Sequence, residues 1–228
     1  MKDEVKRPYR STRRREQAGE TRQRILRAAH DLFVSRGYGR TTVAEVASAA
    51  GVAVETVYAA FRNKPTLLRH VWYATIRGDE QDIRLLDRPE IRAVLAEPDL
   101  ATRLRAHAVA LVPVFRRITP LLRALQGATT SEPTAAAMLA EFDQRRLDAA
   151  GHYARAAAAT GQLGVSEQEC SDLLAATMEG ALWYRLVEER GWSEERFAQL
   201  LGTMWVAALA RSGPVNDPAR RGPQAPDQ

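Results

Sequence analysis

The hydrophobic pattern of this chain is helical almost from end to end, and no stretch of strand length alternates apolar with polar residues. A period near 3.6 buries a stripe along a helix and cannot line one face of a sheet, so the fold class is all-α. Caps, glycines and prolines divide the pattern into about nine helices. Ile25, Ala29, Leu32 and Phe33 form the buried stripe of a first helix, Gly19 to Arg36, which Gly37 stops. Thr42 and Glu45 have capping-box spacing and open a short helix that ends near Ala50, with Gly51 as its cap. A second short helix covers about Val54 to Phe61. Asn63-Lys64-Pro65 reads as an N-cap followed by a first-turn proline. The helix it opens carries Leu67, Leu68, Val71, Trp72, Thr75 and Ile76, and is expected to reach about Asp87.

Farther along, Asp99 caps a helix bearing Leu100, Leu104, Leu111, Val112 and Phe115, which Pro113 is expected to kink. Ser131 is expected to cap the next, which runs toward Thr160. Ser166 and Glu169 open a helix expected to be continuous to about Glu189, and Ser193 caps a last one ending near Ala210. No apolar run approaches the ~18–20 residues of a membrane span. The amino-terminal charges are followed by no apolar segment, so no secretory signal is expected. The single cysteine, Cys170, excludes an intramolecular disulfide framework and fits a reducing cytosol.

Charge is unevenly spread. Residues 1–70 hold 15 Lys and Arg against 7 Asp and Glu, whereas residues 71–228 hold 18 against 21. A basic head on a neutral body suits nucleic-acid binding; a basic disordered tail with no partner would show the same asymmetry. The segment RTTVAEVASAAGVAVETVYAAFRNK, residues 40–64, is more specific. Two helices of about eight residues meet at a tight turn around Gly51, where positive φ is available to glycine. Val46 and Ala47 from the first and Val57 and Phe61 from the second point inward, with small Ala50 near the crossing. This is the recipe for a helix-turn-helix, whose second helix enters a major groove.

From about Thr21 to Trp72 the chain resembles the DNA-binding domain of the TetR family of bacterial regulators. The matching succession is Phe33, Gly37, Tyr38, Thr41-Thr42, Val46-Ala47, Ala50-Gly51-Val52, Thr56, Val57-Tyr58, Phe61, Lys64 and Leu67-Leu68. The resemblance implies a DNA-contacting set of Arg40, Thr42, Val43, Glu55, Thr56, Tyr58, Ala59 and Lys64. Tyr58 and Lys64 look like the family's phosphate-contacting tyrosine and lysine. The hydroxyl and N–H of Thr42 are placed to meet a phosphate at a helix start, and Arg40 and Arg62 can add phosphate contacts. Four positions depart from the usual pattern. Ala53 stands where many members carry a capping serine. Glu55 brings a carboxylate that phosphate repels but that can accept from cytosine N4, and Ala59 and Ala60 can touch a thymine methyl.

The resulting organisation is a disordered basic arm (1–17), a three-helix helix-turn-helix domain (18–63), a helical ligand-binding and dimerisation domain (64–212) and a disordered tail (213–228). One helix-turn-helix reads too few base pairs for specificity, so a homodimer is expected. By resemblance its interface is a four-helix bundle using Leu174, Met178, Leu182, Leu201, Met204 and Trp205. The resemblance also implies a cavity for a small, largely hydrophobic effector, with Trp72, Ile76, His107, Leu111, Phe115, Met138, Phe142, His152 and Trp183 as lining candidates. Effector binding is expected to shift the helix from Lys64 to about Asp87 and lower operator affinity.

The implied protein is a cytoplasmic bacterial repressor, with double-stranded operator DNA as partner and neither cofactor nor metal. A helical adaptor that has lost DNA binding and a transcriptional activator remain open alternatives. An enzyme is disfavoured: His30, His70, His107 and His152 form no HxxxH pair, and Gly37-Tyr38-Gly39 lacks the third glycine and follows a helix, not a strand.

Overall fold

The computed structural model describes residues 6–79 and 83–211, and over them the chain is helical with no strand. Ten α-helices follow in order: α1 (Lys6–Arg36), α2 (Val43–Ala50), α3 (Val54–Phe61), α4 (Lys64–Arg77), α5 (Pro89–Ala96), α6 (Leu100–Gln126), α7 (Pro133–Ala158), α8 (Glu167–Thr177), α9 (Ala181–Trp183) and α10 (Glu194–Leu209). A single 3-10 turn, Leu85–Asp87, precedes α5, and a π turn, Tyr184–Glu188, continues α9. No single helix among the described residues is long and apolar enough to cross a membrane.

Half of the helix starts, those of α2, α4, α6, α8 and α10, are set by the side chains that sequence chemistry points to. Thr42 with Glu45, and Ser166 with Glu169, form reciprocal capping boxes. Asn63, Asp99 and Ser193 each accept from the backbone N–H three residues on. Five expectations change. α1 begins at Lys6, not Gly19, so it takes in much of the expected arm; residues 1–5 and the expected tail lie outside the described residues. Its buried stripe is Ile25, Leu26, Ala29 and Phe33, with Leu32 only half-buried. α4 stops at Arg77 instead of about Asp87, because Gly78 turns left-handed at φ 76°. Ser131 does not cap α7: the position belongs to Glu132, without a side-chain cap bond, and the Ser131 hydroxyl bonds back to the Ala128 carbonyl. The helix expected to run unbroken to Glu189 ends at Thr177, where Gly180 at φ 95° redirects the chain. α6 continues through both Pro113 and Pro120.

Two hydrophobic cores result. One joins α1–α4 to the far end of α6 and the start of α7 through Leu121, Leu125, Met138 and Phe142. The other lies among α5–α10, around Leu104, Phe115, Trp183, Phe197, Leu201 and Trp205. Arginines tie these layers through backbone carbonyls. Arg117 of α6 reaches the last turn of α4, its Nε 2.9 Å from the Thr75 carbonyl oxygen and its Nη2 2.8 Å from that of Ile76. It thereby satisfies carbonyls that a helix end leaves without intrahelical donors, and places positive charge where the helix dipole favours it. Arg88 then clamps Asp79 by two bonds of 2.7 Å, fixing the chain just past Gly78.

The glycine after α4 is required twice over. Its φ is left-handed, and a Cβ there would fall 2.5 Å from the Arg117 guanidinium carbon. Gly161 shares the backbone strain (φ 68°) but has open space around it. Gly78→Ala should therefore cost more than the about 1–2 kcal/mol that left-handed backbone alone imposes, and more than Gly161→Ala. Urea unfolding of the two variants measures this; equal costs would mean that the Arg117 clamp yields freely.

Candidate nucleic-acid interface

α2 and α3 are joined by a turn that bends the chain by 108°. Gly51 is left-handed, its N–H donates to Ser48 O at 3.1 Å, and the N–H of Val52 donates to Ala47 O at 3.0 Å. That pair of bonds closes the helix end, and Val52 packs against the head core beside it. α3 is held from beneath by Val57 and Phe61, each 1% exposed. Arg22 braces the same side, its guanidinium 4.3 Å from the Phe61 ring centre and 3.1 Å from the Ala60 carbonyl oxygen.

The outward face of α3 is therefore fixed by the inward one. Glu55, Tyr58, Ala59 and Arg62, at intervals of three, one and three, are all exposed, with Tyr58 49% open to solvent. Thr56 sits half-buried at the edge of this face. Arg62, the C-cap, is the one non-glycine residue with positive φ among those described, at 62°. Arg40 is exposed, with its Nε bonded to the Arg36 carbonyl at 2.9 Å, and Val43 opens α2 half-buried.

Two expected phosphate ligands are already engaged. The N–H and hydroxyl of Thr42 both donate to Glu45 Oε2, at 2.8 and 2.9 Å, so they are not free while the capping box is closed. Glu45 is itself held by Arg36 at 3.1 Å. Lys64 lies with its ammonium 4.2 Å from the Tyr38 ring centre and 3.4 Å from the Gly39 carbonyl oxygen. Burial lowers its pKa, against which the carboxylates of Glu132 and Glu45 act. Tyr38 is buried against Phe33, and that burial, with Glu132 nearby, pushes its phenol up to about 12. Neighbouring Thr41 is structural: its buried hydroxyl donates to Gly37 O at 2.9 Å and Leu32 O at 3.2 Å, locking the turn before α2.

Residues 25–71 match the family described as "Bacterial regulatory proteins, tetR family". The amino-terminal domain is that of the TetR family. The regulator TtgR of Pseudomonas putida is 44% identical over 57 residues, 25% of this chain, and AcrR of Shigella flexneri is 40% identical over 58. Both matches span 27% of the relative's own length. The fold likeness extends much farther. The structure of SmeT with triclosan aligns over 91% of this chain and 99% of its own, at TM-score 0.63 and 22% identity. NalD of Pseudomonas aeruginosa aligns over 87% and 100%, at TM-score 0.60 and 21% identity. The matched relatives are transcriptional regulators, so an enzymatic reading gains nothing from them.

Behind this TetR-family head, α4, α6 and α7, with Leu85, Leu86 and Met178, line a half-open cavity of about 610 Å³. Of the sequence candidates, Trp72, Ile76, Leu111, Phe115 and Phe142 line it. Trp72 and Phe142 stack in parallel, with ring centres 4.1 Å apart. Four candidates do not reach it. His107 lies one layer behind, stacked on the lining ring of Tyr153 at 3.8 Å. Met138 is packed in the head core with its sulfur 3.7 Å from Arg69, Trp183 is buried against Phe115 and Phe197, and His152 is exposed. Sequence reasoning missed Tyr73, Arg77 and Tyr153, which line the cavity, and Glu132, which approaches the head from the α6–α7 turn. No local pattern marks any of the four, since each acts on residues distant in sequence.

The expected interface residues also divide. Leu174, Leu201 and Trp205 are at most 2% exposed and belong to the body core, Trp205 donating to Thr177 Oγ1 at 2.8 Å. They are interior residues and offer no surface to a second chain. Met178 and Leu182 are half-buried, Met178 lining the cavity. Met204 is open, and Leu173, the neighbour of Leu174, joins it; both are 40% exposed. α8 and α10 are apolar over more than one stripe, so the periodic pattern does not reveal which stripe the chain covers itself.

Burial drives the pKa of His107 from 6.5 down to about 3, so the ring is neutral in the fold. The unfolded chain binds that proton more readily. Stability from this group is complete above pH 6.5 and declines as pH falls from 6.5 toward 3, by up to about 1.4 kcal/mol per pH unit. His107→Phe should flatten that acid dependence in urea unfolding series. An unchanged slope would mean that His107 is protonated in the folded protein.

Proposed function

We propose that the chain is a sequence-specific DNA-binding repressor that acts as a homodimer and leaves a palindromic operator when a small, largely hydrophobic molecule fills its cavity. The observation that carries the reading is the outward face of α3: Glu55, Tyr58, Ala59 and Arg62 are open together on a short helix whose other side is locked into the core. A solvent-facing helix so supported can enter a major groove without rearrangement of the head. Tyr58 is free to reach a phosphate, and Lys64 can leave the Tyr38 ring for one with a small movement of a flexible stem. Glu55 and Ala59 are the base-reading positions, favouring a cytosine amino group and a thymine methyl.

A second copy joins through the outward stripe of α8 and α10, at Leu173 and Met204. The cavity suits an apolar, aromatic-tolerant effector. Two relatives in fold are known with small molecules, SmeT with triclosan and a regulator from Saccharomonospora viridis with choline, and NalD is described as a repressor of a multidrug efflux pump. α4 links cavity to head: Lys64 is its first residue, Trp72 and Ile76 are cavity wall, and Arg117 anchors its last turn to α6. An effector that parts α4 from α6 tilts the head and moves the two recognition helices out of register with successive grooves.

Footprinting on DNA upstream of the gene should reveal a two-fold symmetric protected site. Tyr58→Phe combined with Lys64→Ala should weaken binding on every sequence and reduce the salt dependence of log K by about one to two ions. Loss confined to one sequence would remove the phosphate-contact role. A strictly monomeric protein, indifferent to duplex DNA at low salt, would remove the reading itself.

A further inference from the structure

The turn between α6 and α7 leans on the head at Gly39. Glu132 ends that turn, and its Oε1 and Cγ lie 3.2 and 3.3 Å from where a Cβ on Gly39 would stand. Lys64 meets the same residue, with its ammonium 3.4 Å from the Gly39 carbonyl oxygen. A carboxylate carried by the body and a phosphate-binding candidate carried by the head thus share one backbone neighbour. The two are near enough for Glu132 to favour the charged form of Lys64, and it disfavours ionisation of Tyr38 beneath the ammonium.

The other carboxylate near Lys64 has different work. Glu45 is held by the N–H and hydroxyl of Thr42 and by Arg36. Glu132 occupies the N-cap position of α7 yet makes no side-chain cap bond, and it forms no ion pair among the described residues. Its charge is held against the head without a local structural role that explains it.

We propose that Glu132 is a built-in competitor of the DNA backbone: its carboxylate repels phosphate at Lys64 and sets operator affinity from the body of the protein. This rests on the DNA-binding reading above. Like charge near a phosphate contact weakens binding on any sequence, and salt screens the effect. Glu132 also stands at the N-cap of α7, whose next turns supply Leu139 and Phe142 to the cavity wall. Displacement of α7 by an effector would carry the carboxylate with it, so cavity and phosphate site communicate through charge as well as through α4.

The test uses the full chain, two labelled duplexes (one from upstream of the gene, one unrelated) and fluorescence anisotropy from low to moderate salt. Glu132→Gln should tighten binding to both duplexes about two- to fivefold at low salt, with the gain fading as salt rises. Glu132→Ser, which removes the charge and supplies a good capping residue, should do the same. In a Lys64→Gln background the phosphate is held less closely and the gain should shrink. Equal affinities of wild type and both Glu132 variants at low salt would overturn the inference, as would a gain undiminished by the loss of Lys64. A wild-type protein that binds neither duplex is a distinct result, which removes the DNA-binding reading and this one with it.

Discussion

The molecule depends on α4 being packed on two sides at once. Leu67, Leu68 and Val71 are buried in the core that α4 shares with α1–α3, while Trp72 and Ile76 face the cavity between α4, α6 and α7. A helix of 14 residues has only about four turns, so these two surfaces overlap along its length. The head cannot move as a free body on a linker; it moves as far as α4 does. Arg117 limits that movement at the far end by holding carbonyls that would otherwise have no donor. Separating α4 from α6 leaves those carbonyls and a half-buried guanidinium seeking new partners, at a cost of about 1–3 kcal/mol per unsatisfied group. An effector has to supply at least that much preference for the open arrangement.

Local chemistry made the head legible. The capping box at Thr42 and Glu45, the glycine at the α2–α3 turn and the Asn63 cap each act over three or four residues, and each forms as its spacing indicates. The outward position of Tyr58 follows as well, because Val57 and Phe61 fix the helix phase. The cavity was half legible. Trp72, Ile76, Leu111, Phe115 and Phe142 lie on the predicted faces, but nothing in sequence shows that His107 stands one layer back, with the ring of Tyr153 in front of it. Likewise Leu174, Leu201 and Trp205 satisfy helical periodicity whether they face inward or outward. What resolves them is the number of neighbours each helix has, a property of tertiary packing.

Polar groups distant in sequence escaped prediction altogether. Arg117 bonds across 42 residues, Arg103 ties the Glu97 carbonyl at the end of α5 to that of Ala156 in α7, and Glu132 reaches Gly39. Arginine suits this use because its planar fork offers several donors in fixed directions while its stem fills apolar space. In an arginine-rich chain such side chains are easily dismissed as solvated surface. Here several serve as struts between helices, and they connect the parts whose relative motion the proposed function requires.

One gap in the head has thermodynamic weight. The N-cap of α3 is Ala53, which offers no side-chain acceptor to the first N–H groups of the helix. The N–H of Thr56 turns back to the Ala53 carbonyl at 3.0 Å, and the first turn has no side-chain cap to help it. An anion docking at this end would supply the acceptor that the Ala53 side chain lacks and stiffen the first turn as it binds. A protein with a serine there would have that order in advance and would gain less from contact. The missing hydroxyl therefore leaves part of the order of the first turn to be gained on binding, while Val57 and Phe61 hold the rest of α3 in place beforehand.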